Sequence, residues 1–127
     1  MRAGFHAPNA EAQSFLAEAI EIDPGDQIAL VRLVECGIGF LDYRAHHLPD
    51  DYLGVPEADL QLVEKSWSLC QRIQNSAERE RLLQELGCAR ELILDWTESQ
   101  SAGKDFRTWC QERNRSYHWS ITRVYVR

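Results

Sequence analysis

Apolar residues recur every three to four positions from about residue 10 to residue 100, the spacing that turns one face of an α-helix toward a core. Ala12, Phe15, Leu16, Ala19 and Ile20 follow it and predict a first helix over 10–22 behind an Asn9 cap, with 1–8 as a flexible N-terminus. Asp23-Pro24 reads as a cap followed by the first helical position, where proline's missing amide would be an orphan anyway. The second helix then extends to His47, ahead of Pro49. Ile28, Leu30, Val31, Leu33, Val34, Ile38, Phe40, Leu41 and Ala45 make it apolar over most of its circumference, so it is the expected central helix. Gly37 and Gly39 inside it each cost about 1 kcal/mol against alanine, which predicts close approach of a neighbouring backbone or large ring.

Pro49, Asp50, Asp51, Gly54 and Pro56 then mark a loop. Leu60, Val63, Trp67, Cys70 and Gln74 lie on one line of a third helix over 57–75, and Ser76 is read as the cap of a fourth over 77–99. Leu82, Leu86, Ala89, Ile93 and Trp96 stay in phase along that fourth helix, across Gly87. Residues 104–114 are ambiguous: Phe106, Trp109 and Cys110 suit a short fifth helix, whereas Phe106, Thr108 and Cys110 alternate as in a strand; we take the helix. Residues 116–127 alternate aromatic and β-branched side chains and predict a C-terminal strand. A strand needs a ladder partner, which could be residues 105–111 in a hairpin, the same strand of a second copy in a homodimer, or another protein's sheet edge. The expected fold is a single mainly α domain over 1–127, a compact four- or five-helix bundle ending in that strand or hairpin.

Composition narrows the class without naming a function. The 127 residues, 44% hydrophobic and 27% charged with a net charge of -6, suit one soluble globular domain. A chain of this length buries enough surface to need no metal or disulfide staples. Neither a secretory h-region nor an apolar run of membrane-spanning length is present, so the expected location is the cytoplasm, with no membrane partner. Cys36, Cys70, Cys88 and Cys110 form no C-x-x-C pair and each sits among apolar residues, predicting four reduced core thiols.

Charge is uneven. Residues 1–60 hold three basic against eleven acidic side chains, a balance of -8, whereas residues 104–127 hold six against two, a balance of +4. Arginines and rings interleave in the basic end as they do on nucleic-acid surfaces. The net negative field opposes phosphate, so docking of this end on the acidic first half of its own chain or of a second copy is preferred to nucleic-acid binding.

Arg32, Glu35, Gly39, Asp42 and His46 are spaced three and four apart and form one line on the otherwise apolar second helix. In a cleft, Glu35, Asp42 and His46 could serve acid–base catalysis while Arg32 holds an anion, under a roof of Trp67, Trp96 or Trp119. The plainer reading is a solvent edge held by ion pairs of a few tenths of a kcal/mol. His46, His47, Asp50 and Asp51 crowd the end of the helix, but adjacent histidines diverge by about 100° and no metal site is assigned. No cofactor motif is found.

The reading taken from the sequence is a small acidic binding protein, an inhibitor, immunity factor or adaptor acting on another, basic, protein. Its contact residues would be Asp50, Asp51 and Glu57, with Tyr52 as an aromatic anchor, among the exposed acids Glu18, Glu21, Asp23, Asp26 and Asp59. The alternative is a small enzyme or ligand-binding domain with its pocket beside Arg32, Glu35, Asp42 and His46. Convergence of those four side chains on a concave pocket with His46 desolvated would favour the enzyme; their facing open solvent, with the acidic loop a convex patch, would favour binding.

Overall fold

In the computed structural model, residues 10–117 are described and form five helices: α1 (Ala10–Ile22), α2 (Gln27–Ala45), α3 (Pro56–Cys70), α4 (Ser76–Ser101) and α5 (Phe106–Glu112). The Asn9 cap, the 1–8 segment and all but the first two residues of the expected terminal strand lie outside the described residues. No strand occurs among those described.

The hairpin with residues 105–111 is overturned, because that segment is α5. Asp105 accepts hydrogen bonds from the Thr108 amide at 3.1 Å and its hydroxyl at 3.2 Å, capping the helix. Helical spacing then buries Phe106, Trp109 and Cys110 together, whereas strand alternation would have sent Trp109 to the opposite face from the other two.

Other boundaries differ from expectation. Helix α2 ends at Ala45, short of His47, with the His46 amide turning back to Tyr43 O at 3.4 Å. Helix α2 begins after Asp26, whose side chain accepts from the Ala29 amide at 3.0 Å; Asp23 instead accepts from the Gly25 amide at 3.1 Å and closes a turn around Pro24. Helix α3 stops at Cys70, short of Asn75. The Gln74 amide donates to Gln27 Oε1 at 2.7 Å, and the Arg72 guanidinium donates to Pro24 O at 2.9 Å, so the start of α2 and the turn before it supply partners that one more helical turn would have forgone. Asn75, not Ser76, caps α4, accepting from the Glu78 amide at 2.9 Å.

The same contacts fix the directions. The start of α2 touches the end of α3, and Arg44 near the end of α2 meets Asp59 near the start of α3, so the two run antiparallel. The short turn from α3 reverses the chain again, and α4 lies parallel to α2. Helices α2, α3 and α4 pack mutually around Leu30, Val34, Leu41, Val63, Cys70, Leu82, Leu86 and Ile93, all buried. Among the described residues, helix α1 packs substantially only on α2, through Leu16, Ala19 and Ile20, and α5 packs on α4.

A Cβ on Gly37 would stand 2.7 Å from Ser66 Oγ, so glycine permits the α2–α3 approach there; it is a small side chain that comes close, not a backbone or ring. A Cβ on Gly39 would meet nothing within 4 Å, and the close approach expected there is absent. All four cysteines are free, but only Cys70 and Cys110 are buried; Cys36 is half-buried and Cys88 exposed, so the expected set of four core thiols shrinks to two.

Candidate functional site: a groove between two parallel helices

Because α1 sits beside α2 and not across the mouth between α2 and α4, those parallel helices flank an open groove of about 560 Å³. Ile38, Leu41 and Ala45 of α2 face Ala89, Leu92 and Ile93 of α4 along it. Its polar margin comprises Asp42 and His46 from α2, and Arg81, Gln84, Glu85 and Glu91 from α4, with the Cys88 thiol midway. None of its walls comes from α3. The mixture is an apolar trough edged by more carboxylates than cations.

One end of the groove is held by Tyr52. Its hydroxyl donates to Asp59 Oδ2 at 2.5 Å, and Asp59 is only 3% exposed at the start of α3. Arg44 Nε lies 3.8 Å from Asp59 Oδ1, its Nη1 donates to Leu53 O at 3.3 Å, and its guanidinium stands 4.5 Å from the Phe40 ring centroid. The Nε is buried without a hydrogen bond, so the Asp59 charge is its main compensation. Burial first, and then the Asp59 hydrogen bond and charge, raise the Tyr52 phenol well above its ordinary range.

A second lock of the same composition holds Tyr117. Its hydroxyl donates to Asp95 Oδ2, a carboxylate 6% exposed, which Arg115 Nε also approaches at 3.4 Å. Burial, with Asp95 beside it, again pushes the phenol upward. Rings connect the two locks: Tyr52, Trp96, Phe106 and Tyr117 follow one another with centroids 6.4, 5.3 and 6.3 Å apart. The groove therefore ends against an aromatic wall.

The polar line on α2 does not converge on one concavity. Asp42 and His46 border the groove, whereas Arg32, Glu35 and Gly39 line a shallow concavity between α1 and α2, beside Phe15 and Cys36. Glu35 pairs with Arg81 at 3.1 Å, and Arg81 also bonds Glu78 and Glu85. His46 Nδ1 lies 2.6 Å from Tyr43 O, which only a protonated Nδ1 can satisfy, and its ring meets that of His47 edge-on at 4.3 Å. Among the described residues no three metal-capable side chains converge. Burial raises the thiols of Cys36 and Cys70 and pushes that of Cys110 to about 11, which favours the protonated form of all three at neutral pH.

The aromatic candidates scatter. Trp67 is 36% exposed on α3 and lines neither concavity; Trp96 belongs to the ring wall; Trp119 lies outside the described residues. Tyr52 is buried and cannot serve as an exposed anchor, and Asp59, expected on the surface, is interior. Asp50, Asp51 and Glu57 are exposed, and Asp51 accepts from the Tyr52 amide at 2.9 Å. Sequence reasoning missed Cys88, Leu92 and Tyr117 as groove residues and Arg44 as a fastener. The signal for the first two was a second line on α4, Arg81, Glu85, Cys88 and Leu92, adjacent to the apolar stripe that drew attention. No family model matches this chain, and no curated protein or solved structure is significantly similar to it.

Proposed function

We propose that this is a cytoplasmic macromolecule-binding protein, an inhibitor, immunity factor or adaptor, that receives an apolar, basic segment of another protein in the α2–α4 groove. The observation that carries the reading is the trough itself: Ile38, Leu41, Ala89 and Leu92 form a preformed apolar strip between rims bearing Asp42, Glu85 and Glu91. Asp50, Asp51 and Glu57 are exposed and extend the acidic field, which accelerates encounter with a basic partner. Four free cysteines accord with a reducing compartment. The enzyme alternative draws less support, because its four residues divide between two concavities and Glu35 is engaged by Arg81.

Affinity capture from the source cell at low and moderate salt, read by mass spectrometry, tests this. A specific protein partner should be retained by the wild type and lost with Cys88→Trp, which fills the trough from a solvent-exposed position. Charge neutralisation at Asp50 and Asp51 should slow association about threefold to tenfold and flatten its salt dependence. Capture of no macromolecule at either ionic strength, or capture indifferent to Cys88→Trp, would count against the proposal.

A further inference from the structure

We infer that the segment received in the α2–α4 groove is an amphipathic, basic α-helix of the partner protein, lying antiparallel to α2 and α4 over about 12 residues; this rests on the groove being the binding surface. Direction follows from the bundle itself. Glu35 meets Arg81 at 3.1 Å beside one end of the groove, and His46 and Leu92 border it at the other, so α2 and α4 stay parallel along its length. Each packs more extensively on α3, which runs antiparallel to both, than on the other. A helix laid in the groove antiparallel to that pair, as α3 is, completes an up-down-up-down bundle with α2 and α4 on one diagonal. The opposite direction would align three macrodipoles side by side.

The walls decide the secondary structure of the occupant. Both are helices whose amides and carbonyls bond within their own ladders, and no strand edge occurs among the described residues. An extended segment would therefore desolvate its backbone along the trough with nothing to pair it, whereas a helix arrives with its backbone satisfied. From Ile93 back to Arg81 the groove follows about 18 Å of α4, or roughly three helical turns, the length of an ordinary helix.

Floor and margin set the side chains. Ala45 and Ala89 are the small residues of the floor and Ile38, Leu41 and Leu92 the large ones, so the partner's largest apolar residues belong over the alanines. At the margin Asp42, Glu85 and Glu91 outnumber Arg81, which itself sits among Glu35, Glu78 and Glu85. Lysine or arginine flanking the partner's apolar stripe matches this margin, and glutamate there meets like charge.

The test selects phage-displayed random peptides of about 16 residues, long enough to span the groove as a helix, on the full-length protein, with Cys88→Trp used to remove peptides that bind elsewhere. Retained sequences should repeat apolar residues at i, i+4, i+7 and i+11, flank them with Lys or Arg, gain helicity in circular dichroism on binding, and weaken about tenfold or more when those cations become Glu. A benzophenone at the peptide N-terminus should cross-link beside His46 and Leu92, and one at its C-terminus beside Arg81 and Gln84. Alternating apolar patterns, acidic flanks, the reverse order of cross-links, or no peptide excluded by Cys88→Trp overturns the inference. So does a doubled native mass of the wild type that Cys88→Trp returns to one chain, which would assign the groove to a second copy. Should Cys88→Trp unfold, protection of the exposed Cys88 from iodoacetamide by bound peptide replaces the depletion step, and a Cys88 rate unchanged by every peptide overturns the inference. Capture of the natural partner is read separately: a captured protein that is lost with Cys88→Trp but lies in the trough as an extended or parallel segment ends this inference and leaves the binding reading standing.

Discussion

Two buried carboxylates do the most specific work in this molecule. Asp59 and Asp95 each accept from a tyrosine hydroxyl and sit beside an arginine, and each fixes one of the two tyrosines that border the groove. Removing one member of a buried charged set leaves the others desolvated and unpaired, which costs more than the interaction itself contributes. Asp59→Ala should therefore lower unfolding free energy by about 3 kcal/mol in urea titrations, and Tyr52→Phe by about 1 kcal/mol. Gly54→Ala should be comparably harmful, since a Cβ there would collide with Asp59 Oδ2 and lie 2.9 Å from Arg44 Cδ. These locks were not legible in the sequence: Asp59 resembles any first-turn acid and Tyr52 any loop aromatic, and only their meeting across seven positions distinguishes them.

At the scale of elements, helix count and phase followed from periodicity, whereas ends followed from local competition for backbone partners. Asp23 is the cap that the sequence predicts, but the turn that Asp23 makes with Gly25 leaves Asp26 to cap α2. Asp26→Ala should cost about 1 kcal/mol in thermal or urea unfolding and Asp23→Ala less; equal losses would contradict this boundary. The two glycines of α2 make a sharper pair. Gly39→Ala should stabilise by about 0.5–1 kcal/mol, because nothing stands within 4 Å and alanine is the better helix former. Gly37→Ala should destabilise, because its new methyl meets Ser66 Oγ at 2.7 Å between packed helices. Both glycines look alike in sequence; their difference lies in which side of α2 faces α3.

Over the whole molecule, burial sets a pH response as well as a groove. The Cys110 thiol and the Tyr52 and Tyr117 phenols are all held above their ordinary values, by burial first, so the folded chain retains protons that the unfolded chain releases. Unfolding is then linked to proton loss. Their contribution is complete below pH 9.0, the ordinary thiol value, and diminishes as pH rises through about 11. The urea midpoint should accordingly fall across that interval, with a shallower fall in Tyr52→Phe; a flat or rising midpoint would contradict the assignment.

By itself the sequence determined a mainly helical fold, a greasy second helix at its centre and a separation of acidic front from basic end, because these depend on periodicity and charge along the chain. Tertiary structure alone decided that the polar line of α2 is divided between two concavities, that α1 leaves the space between α2 and α4 uncovered, and that Tyr52 and Tyr117 border that space. The physical reason is that a helix presents several faces, and which one meets solvent, a neighbour or a trough is set by residues tens of positions away.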